Sequence, residues 1–188
     1  MEEVMGQNGV NALLKLGTFS SLINNYPPDN NELKFPFAAV TNLTETLEHA
    51  YGPHGGRGLA VRVGRACFNY GVRQYGMQLG ITEMAFRLLP LPAKLSAGAK
   101  ALAQLFNQFT DQRVRVEQED GKILWHIERC PLCWERKATD PVCHLAVGLL
   151  QEALFWLSGG KVFNVEEQTC IAAGDESCMI VIDETPIF

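Results

Sequence analysis

The stretch Asp140–Asp183, DPVCHLAVGLLQEALFWLSGGKVFNVEEQTCIAAGDESCMIVID, constrains the chain more than any other. It reads as one helix followed by one β-hairpin, with cysteines and a glutamate at the joints. Pro141 suits the first helical position, with Asp140 as its N-cap. Val142, Leu145, Ala146, Leu149, Ala153 and Trp156 then recur at helical spacing, and Gly159-Gly160 ends the run. Strand-forming residues follow from Lys161 to Ile171, the polar AAGDES segment turns the chain, and Met179 to Ile182 return.

A hairpin regular about Gly174 sets Cys170 opposite Cys178, with β-carbons about 4.5–5.5 Å apart. Two sulfurs side by side suit a tetrahedral zinc, whose ligands are Cys, His or a carboxylate. Glu167 lies three residues before Cys170. Cys143 falls in the first turn of the expected helix, where the dipole favours its thiolate. The pattern therefore proposes Cys143, Glu167, Cys170 and Cys178 as a metal site joining helix to hairpin. Residues three apart on a regular strand face opposite sides. Glu167 joins Cys170 only across a bulge or a strong twist, and Glu166, which has the parity of Cys170, is the alternative ligand. A cross-strand disulfide, or two cysteines buried simply as small apolar residues, also accounts for the pair.

The run E-x-x-C-x-A-x-G-D-x-x-C, here Glu167-Gln-Thr-Cys170-Ile-Ala-Ala-Gly174-Asp175-Glu-Ser-Cys178, resembles the signature of the vinyl-4-reductase (V4R) domain family. The helix upstream, with its early cysteine and Gly148, is similar too. That family includes a small protein linked to bacteriochlorophyll vinyl reduction, stand-alone archaeal and bacterial proteins, and the aromatic-sensing domains of some transcription activators. Its fold resembles that of vesicle-tethering transport-particle subunits and of haem-dependent nitric-oxide sensors. The resemblance implies a structural zinc on Cys143, Glu167, Cys170 and Cys178, beside a buried hydrocarbon pocket. It also implies that Trp125, a strand tryptophan, lines that pocket, and we assign Phe106, Leu149, Ala153 and Val165 to the same wall.

At 188 residues the chain is long enough for a substantial core, and 47% hydrophobic with 20% charged residues fits a globular protein. A net charge of −5 and a pI near 5.4 argue against a nucleic-acid-binding surface. The apolar runs are too short for a membrane span, and the acidic start MEEVMGQNG does not read as a secretory segment. Six cysteines without such a segment read as thiols or metal ligands, and a cytoplasmic setting is expected.

Residues 1–17 read as a short amphipathic helix, and the polar stretch from Asn24 to Asn31 as a loop. A helix is expected from Ala38 to Ala50, capped by Thr41 or Asn42. His54-Gly55-Gly56-Arg57-Gly58 reads as a connector, because no strand precedes it to make a phosphate-binding turn. A further helix is expected from Leu59 to Gly76, in which Gly64 and Ala66 permit close packing and Cys67 is buried. The helical stretch from Met84 to Phe109 breaks near Leu89-Pro90-Leu91-Pro92, and Leu95, Ala99, Leu102, Leu105, Phe106 and Phe109 then form an apolar face. From Arg113 to Glu128 the chain alternates about Asp120-Gly121, a hairpin signal.

Cys130-Pro-Leu-Cys133 follows, and this knuckle supplies either a redox pair, a second metal pair, or part of an iron–sulfur cluster sharing thiols with the hairpin. The sequence carries no GxSxG, P-loop or recognisable carboxylate pair, and His49, His54, His126 and His144 are scattered.

The expected fold is α+β and transport-particle-subunit-like. N-terminal helices pack with two antiparallel hairpins that flank a C-terminal helix. One domain is expected over residues 1–188, mainly helical over 1–110, with a hairpin–helix–hairpin metal-binding part over 111–188. The leading expectation for function is a sensor or carrier of a hydrophobic or aromatic ligand, with a structural zinc, rather than an enzyme. In the activators of the family the domain works with ATPase and DNA-binding partners. Here a signal would pass to a separate protein, and a further reading is an interaction scaffold like the transport-particle subunits, a homodimer burying one helical face. The alternatives are a part in vinyl reduction or binding of a chlorophyll-type tetrapyrrole, and a thiol or iron–sulfur redox sensor.

Overall fold

The computed structural model describes residues 1–28, 30, 32–77 and 84–187, so Asp29 and Asn31 of the polar loop lie outside the described residues. The helices are α1 (Glu2–Leu16), α2 (Phe37–Tyr75), α3 (Met84–Arg87), α4 (Leu91–Phe109) and α5 (His144–Ser158). The strands are β1 (Arg113–Glu119), β2 (Lys122–Arg129), β3 (Val165–Thr169) and β4 (Cys178–Asp183). The strands form one antiparallel sheet in the order β1-β2-β4-β3, so the second hairpin docks its later strand against β2, with α5 inserted between the hairpins in sequence. The fold is α+β.

The first hairpin turns as its sequence dictates. Asp120 and Gly121 both take positive φ, 49° and 74°, the pairing a two-residue turn needs between twisted strands. Alternation along β2 then buries Ile123, Trp125 and Ile127 against the helices. The apolar faces of α4 (Leu95, Ala99, Leu102) and α5 (Leu150, Ala153, Leu154, Leu157) cover that surface together with Ile180 and Ile182 of β4. Asn107 fixes where α4 meets β1: its side chain accepts from the Val114 N–H at 2.8 Å and donates to the Val114 carbonyl at 2.7 Å.

Helix α2 departs from the sequence reading. His54–Gly58 is helical rather than a connector, because the break falls earlier, at Gly52 (φ 73°, ψ 168°), and Pro53 opens the next helical segment in the position where its missing N–H costs nothing. Gly56 lets the restarted helix pass the preceding one closely; a β-carbon there would lie 2.6 Å from the Glu48 Cα. The first segment begins at Phe37, after Pro36, and Thr41 is no cap but buried. Helix α1 likewise contains a break, at Gly6 (φ 71°).

The restarted part of α2 crosses α5 at a reciprocal pair of glycines. A β-carbon on Gly64 would sit 2.0 Å from the Leu145 carbonyl oxygen, and one on Gly148 would sit 2.0 Å from the Val61 carbonyl oxygen. The two backbones touch at this crossing, which seats the start of α5 in a fixed place. Gly148→Ala is therefore expected to cost about 3 kcal/mol or more in chemical denaturation, at the upper end of overpacking penalties. Gly58→Ala, in the same helix system but facing open space, should be neutral or stabilise by up to about 1 kcal/mol through helix propensity.

Candidate metal centre and adjoining cavity

Four separate pieces of chain deliver ligand-type side chains to one buried point. Cys130 and Cys133 come from the knuckle after β2, Cys143 from the residue preceding α5, Glu167 and Cys170 from the end of β3, and Cys178 from the start of β4. All five cysteines are buried free thiols, and Glu167 is 8% exposed. The sulfur separations are 3.5 Å for Cys130–Cys143, 3.3 Å for Cys133–Cys178, 3.9 Å for Cys143–Cys170, 3.7 Å for Cys143–Cys178 and 3.8 Å for Cys170–Cys178. They far exceed a disulfide bond of about 2.05 Å, so the cross-strand disulfide is not formed.

Local structure explains each position. Strand β3 pairs with β4 as Val165↔Ile182, Glu166↔Val181 and Glu167↔Ile180, but then as Thr169↔Met179. One residue is therefore extra between Glu167 and Thr169, a bulge of the kind that re-aims side chains. It turns Cys170 onto the inward face that Glu167 already shares with Val165 by strand alternation, and Glu166 is left exposed. The later register, carried one residue on, sets Cys170 against Cys178. Strand β3 begins at Val165 rather than Lys161, and Ile171–Ala173 is a short 3-10 turn.

Helix α5 starts at His144, three residues later than Pro141 would predict, so Cys143 is its N-cap residue and not part of the first turn. The reason is a competing partner. The Cys143 N–H donates to Glu167 Oε2 at 2.7 Å, and the Ala138 N–H donates to the Ala172 carbonyl at 2.8 Å, tying this segment to the hairpin. The knuckle is held from the other side by α2: the Thr41 hydroxyl donates to the Pro131 carbonyl at 2.7 Å and accepts from the Trp134 N–H at 3.0 Å.

The donor set can hold a metal ion. A tetrahedral ion with metal–sulfur bonds of about 2.3 Å places its ligand sulfurs about 3.8 Å apart, and the separations above cluster near that edge. Glu167 Oε1 is buried without a hydrogen-bond partner among the described residues, an arrangement that a cation would relieve. Burial, then the neighbouring Cys170 thiolate, pushes the Glu167 carboxyl up to about 8. The thiol contacts hold Cys133 below and Cys143 above the usual thiol range, with Cys130 the first contributor to each. Two four-ligand sets arise, Cys143/Glu167/Cys170/Cys178 and Cys130/Cys133/Cys143/Cys178, each with ligand atoms all within 4.8 Å of one another. His144 lies beside the cluster without joining either set, and its pKa is lowered by burial and by Arg57.

On the other side of the knuckle lies an apolar cavity of about 320 Å³. Its wall includes Pro131 and Leu132 of the knuckle, Trp125 and Ile127 of β2, Phe106 of α4, and Leu145, Ala146 and Leu149 of α5. A neighbouring cavity of about 310 Å³ shares Cys67, Phe106 and Leu149 with it. Cys67 is thus open to these cavities rather than buried in the core. Among the residues expected in the pocket, Trp125, Phe106 and Leu149 line it. Ala153 and Val165 do not: both lie in the packed core, with Val165 paired with Ile182.

Residues 125–184 match the V4R domain family model, and these residues carry the whole of both ligand sets. No curated protein matches the chain. Among solved structures, the phenol-responsive sensory domain of the transcription activator PoxR, solved with phenol, is 21% identical with a TM-score of 0.59 over 80% of this chain and 75% of that one. An H-NOX protein from S. oneidensis is 13% identical with a TM-score of 0.56, over 96% of this chain and 91% of that one. A trafficking protein particle complex subunit 3 from Naegleria fowleri, covalently bound to palmitic acid, is 15% identical with a TM-score of 0.50, over 93% of this chain and 95% of that one. At these identities the likeness is one of fold, and it joins the three architectures that the sequence resemblance groups together.

Strand alternation makes a sharp contrast between two adjacent carboxylates, Glu167 turned into the cluster and Glu166 to solvent. Glu167→Gln should weaken metal retention by more than the about 10–100-fold typical of an outer-shell partner, whereas Glu166→Gln should leave it unchanged, read as metal content after dialysis against a graded chelator.

Proposed function

We propose that the chain is a small-molecule-binding domain, a sensor or carrier for a hydrophobic or aromatic ligand. In this reading a structural zinc on Cys143, Glu167, Cys170 and Cys178 braces the wall of its pocket. The observation that carries the reading is the double use of the Cys130–Cys133 knuckle. Pro131 and Leu132 form cavity wall, while the sulfurs on either side of them lie in the thiol cluster.

The volume of about 320 Å³ supports a ligand of one or two rings, at the small end of ligand pockets. The lining is almost wholly apolar, with Gln112 and the Trp125 indole as the groups that can orient a polar substituent. The match to the V4R domain and the fold shared with a sensory domain solved with phenol support an aromatic ligand class. No histidine lines either cavity among the described residues, whereas haem is commonly held by one, so the likeness to H-NOX proteins does not favour haem here.

Sulfur spacing favours zinc over an iron–sulfur cluster. A cluster interposes inorganic sulfide between its irons and spreads its thiolates beyond a single tetrahedral edge. Each ligand set here is gathered within 4.8 Å. A zinc with four protein ligands has no open position for substrate, so the metal stabilises and the pocket recognises.

Titration calorimetry with phenol tests the pocket. The wild-type chain should bind it, and Ala146→Phe, which fills the cavity from α5 without removing a core side chain, should weaken binding about tenfold or more while the folded far-ultraviolet spectrum is retained. Equal affinity in the two proteins would contradict the assignment of this cavity.

A further inference from the structure

A single zinc on Cys143, Glu167, Cys170 and Cys178 leaves two buried thiols unused beside it. Cys130 is 2% exposed and Cys133 is 1% exposed. Their sulfurs lie 3.5 Å from Cys143 and 3.3 Å from Cys178, the two ligands common to both four-ligand sets. We propose that the cluster is a two-metal centre: one divalent ion is held by Glu167 and Cys170, a second by Cys130 and Cys133, and the thiolates of Cys143 and Cys178 bridge the pair.

This inference rests on the metal-braced reading above and extends it. Each ion then has four ligands, two terminal and two bridging, which is the closed tetrahedral coordination of a structural site. Six anionic ligands around two divalent ions carry the same net charge as four around one, so the second ion adds no charge to the buried site while it removes two protonated thiols from it. The bridging atoms are well placed for sharing. Cys143 and Cys178 are 3.7 Å apart, a single tetrahedral edge that two ions can straddle. The backbone also supports Cys178 as a bridge, since the Ile171 N–H donates to its sulfur at 3.4 Å. The partnerless Oε1 of Glu167 completes the first ion's shell, while its Oε2 is already held by the Cys143 N–H.

The second ion has a distinct task. Its terminal ligands bracket Pro131 and Leu132, so it braces the knuckle side of the cavity wall, whereas the first braces the α5 side, through Cys143 and the Leu145 and Ala146 that follow it, and ties it to the hairpin. A soft, thiolate-preferring d10 ion such as zinc fits this set better than magnesium or calcium, which prefer oxygen.

Native mass spectrometry of the full chain, stripped and then reloaded with zinc alone, reads the stoichiometry. Two zinc ions per wild-type chain and one in the Cys130→Ser/Cys133→Ser variant are expected. Saturation of the wild type at one ion overturns the second site and leaves the first intact, whereas no bound zinc overturns both readings. Cobalt(II) titration of the wild type tests the bridges without any variant. The electron paramagnetic resonance signal should grow to one ion per chain and fall as the second enters, because bridging thiolates couple the two spins. A signal that rises steadily to two ions would mean separate sites and would overturn the shared ligands.

Discussion

Five thiols and one carboxylate meet where four pieces of chain come together, and this convergence governs the lower half of the molecule. Groups of this kind are costly to bury when charged and uncompensated. Nothing in an apolar core would gather Cys130, Cys133, Cys143, Glu167, Cys170 and Cys178 on its own account. A cation changes the balance, since the same anionic ligands then bind each other through it. A cation bound there would also close the loops between residues 130 and 178, so that its binding free energy would become free energy of folding for the segment that joins the two hairpins.

From that point the structure can be followed outward. The thiol cluster anchors the knuckle, the knuckle presents Pro131 and Leu132 to the cavity, and Thr41 ties the same knuckle to α2. The contact between Gly64 and Gly148 brings α2 and α5 together at backbone distance. Consequently α2, α5 and the knuckle form a frame around an apolar space, and α4 closes it with Phe106, whose ring meets that of Trp125 edge-on at 6.1 Å. The neighbouring cavity extends the space towards Tyr75 and Phe109, whose rings meet at 5.3 Å. Recognition of a small ligand at such a place needs no catalytic group, and the cavity lining offers little beyond apolar surface and a few orienting atoms.

How much of this was legible in the sequence follows physical range. Features set by neighbouring residues could be read directly: the Asp120-Gly121 turn, the helix stop at Gly159, where φ is 76°, the break before α4, and the signature holding Glu167, Cys170 and Cys178. Features set by competition between local and distant partners could not. Pro141 offers a good helix start, but a carboxylate 24 residues away takes the Cys143 N–H and delays the helix. The extra residue after Glu167 leaves no mark in composition, although the need for it followed from strand parity. The meeting of Cys130 and Cys133 with Cys143 and Cys178 depends on how β2 pairs with β4, a contact between hairpins that spacing along the chain does not encode. Gly52 and Pro53 do carry a signal, a glycine able to take positive φ followed by a proline suited to a helix start, and it is this pair rather than the glycine cluster beside it that breaks α2.

The central claim is that metal binding at the cysteine cluster organises the pocket wall. Hydrogen–deuterium exchange on the zinc-loaded and chelator-stripped chain tests it most directly. The account predicts that exchange on stripping rises by about an order of magnitude or more in residues 130–145 and 165–180, while the restarted part of α2 after Pro53 changes far less. Equal exchange in the two states, or a rise spread evenly along the chain, would contradict it.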